Sequence, residues 1–63
     1  MTTKQQILKL LREDLDLAKR RERVSSIEMS EDYNYMNITH HYTDLGVVNG
    51  ILNSIDTVLG VKE

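Results

Sequence analysis

The chain has 63 residues, no proline and no cysteine, and a formal net charge of −2. A chain this short holds one domain at most and buries only about 60% of its unfolded surface. The absence of cysteine removes disulfide staples and zinc-finger sites, which leaves oligomerisation as the remaining way to stabilise so small a fold.

The charge is unevenly spread. Residues 1–23 hold seven Lys/Arg against four Asp/Glu, and residues 24–63 hold one Lys against six acids. A basic half and an acidic half attract each other, which favours packing of one on the other. No apolar run follows Met1 to Gln6, so no secretory leader is expected, and no segment approaches the roughly 20 apolar residues of a membrane span. The expected location is cytoplasmic, with no membrane partner. The Asn37-Ile38-Thr39 glycosylation sequon is read as chance on the same ground.

Thr3 with Gln6 forms a capping box that predicts a helix start. Ile7, Leu8, Leu11, Leu15 and Ala18 follow at spacings of three and four, flanked by Leu10 and Leu17. Lys9–Glu13, Arg12–Asp16 and Asp16–Arg20 are i,i+4 pairs, which mark the outer face as wet. The apolar stripe then stops at Lys19-Arg20-Arg21-Glu22-Arg23. Ser25 with Glu28 is a second capping box, with Val24 and Met29 as its staple, and Ser30-Glu31-Asp32 is a rival start. Both place a break between Val24 and Ser30. A single uninterrupted helix is disfavoured because the stripe before the break and the stripe after it lie on different faces.

The second stripe is Ile38, His41, Leu45, Val48, Leu52, Ile55 and Leu59. Its apolar arc, which also takes in Val47, Ile51 and Val58, is wider than one partner helix needs. Gly60 suits a left-handed C-terminal cap, with Val61 beside it. A strand over residues 33–43 is the alternative for the first part of this segment. The reading is therefore all-α: a helix over about 3–24, a turn over about 24–30 and a helix over about 30–59. The two form an antiparallel hairpin that dimerises into a four-helix bundle. Its core and dimer residues are Leu8, Leu11, Leu15, Leu45, Val48, Ile51, Leu52, Ile55 and Leu59. One end of the hairpin is apolar, near the termini, and the other is polar, near the turn.

Chemistry-bearing groups are few. Arg20, Arg21 and Arg23 offer bidentate geometry for phosphate, and Tyr33, Tyr35 and Tyr42 offer stacking faces for unpaired bases. The competing reading is a solvated face paired with Glu28, Glu31 and Asp32. His40 and His41 with Asp44 invite a metal, but adjacent histidines point about 100° apart and no Glu-x-x-His pattern is present. His41 lies on the stripe, so a hydrogen-bonded structural role fits it, and pH-sensitive assembly is a further reading. Gly46 and Gly50, with Thr43, Asn53, Ser54 and Thr57, form a small, polar stripe that suits either close packing or an open face. No nucleophile elbow, phosphate loop or carboxylate dyad appears, so neither enzyme activity nor a cofactor is expected. The length and hairpin resemble the plasmid-borne Rop class of dimeric four-helix bundles. The resemblance is one of architecture, and no motif of functional residues carries over. Such short, acidic, motif-free chains suggest a phage or accessory bacterial source. The expected function is a homodimerising adaptor or regulator that binds another protein through Arg20, Arg21, Arg23, Tyr33, Tyr35, His40 and His41. The alternative is an RNA-binding regulator that uses the basic run.

Overall fold

Thr3 opens the first helix as its side chain predicts. In the computed structural model, which describes residues 3–61, the Gln6 amide donates to Thr3 Oγ1 at 3.2 Å. The Thr3 amide donates in return to Gln6 Oε1 at 2.9 Å. Two of the four N–H groups that a helix leaves orphaned at its start are thereby satisfied. Helix α1 then runs Lys4–Glu31 and helix α2 runs Tyr35–Leu59. The described residues contain no strand, so the strand alternative over 33–43 is excluded.

The break lies later than the capping signals place it. Helix α1 continues without interruption through Val24 to Ser30. Ser25 is not a cap: it is 4% exposed, and its hydroxyl donates to Glu22 O one turn back, at 3.0 Å. A serine whose hydroxyl bonds to its own helix needs no chain reversal to satisfy it. The apolar stripe does not end at Glu22 either. Leu8, Leu11, Leu15, Ala18, Glu22, Ser25 and Met29 are all buried or half-buried, and they keep a three-four repeat through polar positions. The reversal occupies Asp32 to Asn34. The Asp32 amide donates to Glu28 O at 2.9 Å and closes α1. Asn34 Oδ1 accepts from the Asn37 amide at 2.9 Å and caps α2. Asn37 Nδ2 then donates back across the turn to Asp32 O at 2.7 Å and Glu28 O at 3.3 Å. One asparagine thus adds a second donor to two carbonyls at the end of α1, each of which also accepts a backbone amide.

At the far end Lys4 Nζ donates to Val61 O at 2.7 Å and Leu59 O at 3.3 Å. The cation sits on the negative pole of α2. With the turn contacts, this fixes the helices as antiparallel along a rod of 47 × 15 × 14 Å. Gly60 has φ −77° and ψ −11°, so the left-handed cap is absent. The helix instead closes with Gly60 N–H on Asp56 O and Val61 N–H on Val58 O, both at 3.1 Å.

The facing seam of α2 is Asn37, His41, Asp44, Val48, Ile51, Ile55 and Val58, all half-buried, with Ile38 and Leu45 beside it. Of the expected core, Leu8 is buried, and Leu11, Leu15, Leu45, Val48, Ile51 and Ile55 are half-buried. Leu52 and Leu59 depart from expectation, being 40% and 51% exposed. The reason is the width of the α2 apolar arc: one facing helix covers its centre, and the flank with Leu52 and Leu59 turns away. Among the described residues only Leu8 and Ala18 are buried apolar residues.

Candidate interaction face

The seven-residue repeat that aims Leu8, Leu15, Glu22 and Met29 inward also generates a second row on α1. Leu10, Leu17 and Val24 are seven apart, with Asp14, Arg21 and Glu28 between them. All six share an arc of roughly 80°, about 100° round from the seam. The three apolar members are 57%, 49% and 55% exposed. Two shallow grooves run along the same side of the hairpin. The larger, about 400 Å³, is lined by Arg20, Arg21, Val24, Ser25 and Glu28 of α1 and by His40, Thr43 and Asp44 of α2. The other, about 230 Å³, is lined by Asp14, Leu17, Ala18 and Arg21 and by Asp44, Val47 and Ile51. Arg21 and Asp44 border both. The face is thus an apolar strip with alternating acids and bases set into it.

Its charges have few partners within the chain. Among the described residues Asp16 and Arg20 form an ion pair at 2.9 Å, and Glu22 Oε1 lies 3.7 Å from His41 Nδ1, an ion pair only when the ring is protonated. Lys9–Glu13 and Arg12–Asp16, expected from their spacing, do not form; the carboxylate of Asp16 turns to Arg20 instead.

The residues singled out for partner binding do not converge on one site. A continuous helix sends consecutive residues about 100° apart, so the basic run is dispersed. Arg21 lines the grooves, Arg20 borders one of them while paired with Asp16, and Arg23 points to the opposite flank. There Lys9, Arg12, Lys19 and Arg23, all exposed, share an arc of roughly 80°. Tyr33 lies in the turn and Tyr35 begins α2, 76% and 84% exposed. His40 borders the larger groove. His41 points inward: its Nδ1 is buried, finds no hydrogen-bond partner, and sits 3.7 Å from Glu22 Oε1. That separation is too long for a hydrogen bond. The His41 ring leans on Tyr42, with centroids 5.9 Å apart. Among the described residues no three His, Asp or Glu gather as a metal-ligand group, and no helix is long and apolar enough to cross a membrane.

No family model, curated protein or solved structure matches this chain. Its face must be interpreted from its own residues. The members that sequence reasoning did not assign to this face are Val24 and Asp14; Val47 belongs to the apolar arc already read on the second helix. The signal was the spacing of Leu10, Leu17 and Val24, which was masked because Val24 also fits a staple for the Ser25 cap.

The small-residue stripe on α2 is open. A Cβ added at Gly46 or Gly50 would meet nothing within 4 Å. The Thr43, Ser54 and Thr57 hydroxyls donate to backbone carbonyls four residues back in their own helix.

Proposed function

We propose that the chain is a non-enzymatic helical hairpin that homodimerises into a four-helix bundle and acts by binding another protein, as an adaptor or regulator. The observation that carries this reading is the exposed row Leu10, Leu17 and Val24 beside Val47 on one side of the rod. Burying one such side chain is worth about 1.5–3 kcal/mol. Leaving four of them wet forgoes stabilisation comparable to the whole net stability of a small domain, about 5–15 kcal/mol. Sedimentation over a range of concentrations tests the reading. The expected result is a dimer at low micromolar concentration, with melting that rises with protein concentration. A monomer with intact helices and concentration-independent melting would leave no support for it.

The RNA-binding alternative now rests on the flank with Lys9, Arg12, Lys19 and Arg23, because these cations share a face and the consecutive arginines do not. Each phosphate contact removed should lower the salt dependence of binding by about one unit of slope. RNA retention that is absent, or insensitive to salt, removes this alternative.

A further inference from the structure

We infer that two copies join through the Leu17 face with their first helices antiparallel about a two-fold axis at Leu17. This rests on the homodimer reading and assigns it a surface and an orientation. Three observations converge on it. The first is area. The chain exposes 5087 Å², whereas a compact monomer of 7.3 kDa exposes roughly 4,200 Å². The excess of roughly 900 Å² is close to the roughly 800 Å² that one partner gives to a standard interface.

The second is charge. On α1 the acid Asp14 precedes Leu17 and the base Arg21 follows it, and neither is ion-paired within the described residues. A two-fold axis at Leu17 sets each residue before it against one equally far behind it in the other copy. Leu10 then meets Val24 of the partner subunit, Leu17 meets Leu17 of the partner subunit, and Asp14, three residues before the axis, comes opposite Arg20 of the partner subunit and within one residue, about 1.5 Å of rise, of Arg21 of the partner subunit. A parallel arrangement would lay Arg21 on Arg21 of the partner subunit and Asp14 on Asp14 of the partner subunit, which like charges oppose.

The third is the other flank. There α2 presents Leu52 and Leu59, but the neighbouring side of α1 carries Arg12 and Lys19. The acid on that side, Asp16, is already paired with Arg20 at 2.9 Å, so a second copy on that flank would bring mostly cations against cations. A closed two-fold contact on the Leu17 face needs the same patch from both copies, and that patch is self-complementary in both apolarity and charge.

Single-cysteine variants of the full chain test the assignment, since the parent has no cysteine. Disulfides need Cα atoms within about 7 Å. Leu17→Cys should cross-link to itself on mild oxidation. Leu10→Cys should not, because the axis holds the two copies of that position about 14 residues, or 21 Å, apart. A mixture of Leu10→Cys and Val24→Cys should give the mixed dimer. In the uncross-linked protein, Asp14→Arg or Arg21→Asp should weaken the dimer about tenfold, and the double exchange should restore it. A dimer that cross-links through Leu52→Cys and not Leu17→Cys overturns the face and leaves the homodimer standing. Self-linking at Leu10→Cys overturns the orientation, and a double exchange that fails to restore the dimer overturns the charge pairing. A monomeric parent chain overturns the homodimer reading itself.

Discussion

Replacing Glu22 and His41 together by leucine should stabilise the protein. These two face each other in the middle of the seam, and the geometry serves neither. His41 Nδ1 is buried without a partner, and Glu22 Oε1 stands 3.7 Å away. A buried polar atom left unpaired costs about 1–3 kcal/mol. Exchanging an imperfectly matched polar pair in the interior for apolar side chains of similar size gains up to about 1–4 kcal/mol, the range known for buried ion pairs. The two side chains are 12% and 28% exposed, so most but not all of that gain should be realised, about 2–3 kcal/mol. For a domain of this length each kcal/mol shifts Tm by about 4–8 °C, which predicts a rise of roughly 10–20 °C. Thermal melts followed by circular dichroism, at one fixed protein concentration, give the number. Each single exchange leaves one polar group against a leucine and should gain less than half of the double. A double variant that melts at or below the parent temperature would refute the reasoning, because the Glu22–His41 layer would then be a net source of stability.

Gly46→Ala and Gly50→Ala should each stabilise by up to about 1 kcal/mol through helix propensity, since the added methyl meets nothing; urea unfolding measures it. A loss instead would show that this side of α2 is packed against something in the assembled protein. Asn34→Ala should cost about 1 kcal/mol as a lost cap. Asn37→Ala should cost at least as much, because its amide serves both Asp32 O and Glu28 O. If neither shifts the urea midpoint, the turn is held by something other than its asparagines.

Features set by neighbours in sequence were legible, and features set across the hairpin were not. The Thr3–Gln6 box is a contact over three residues and forms as read. Ser25 carries the same local signal, yet its fate is decided by α2: the position is buried in the seam, and burial favours the hydroxyl bonding to its own helix over opening a turn. The apolar pattern broke at Glu22 and Ser25 because the seam there is polar, so a continuous helix looked like two. The true reversal had a signal in Asn34 and Asn37, a side-chain oxygen and an amide three apart. It was outweighed by two serine-based starts upstream. For the candidate face, the basic run looked like one site only while a break was assumed within reach of it. Once the helix continues, helical geometry alone scatters Arg21 and Arg23.

The placement of polar residues near the turn and apolar residues at the open end has a kinetic consequence. Pairing Asn37 with Glu28 closes nine residues, whereas joining Lys4 to Leu59 closes fifty-five. The logarithmic cost of loop closure makes the second about 1.6 kcal/mol more expensive in chain entropy. Folding is therefore expected to begin where the contacts are weakest, at the asparagine-held reversal, and to reach the leucine-rich end last. Changes near Asn37 should then alter the folding rate, and changes near Leu8 and Ile55 the unfolding rate. The apolar end works as a latch: it closes late and sets how long the hairpin stays shut.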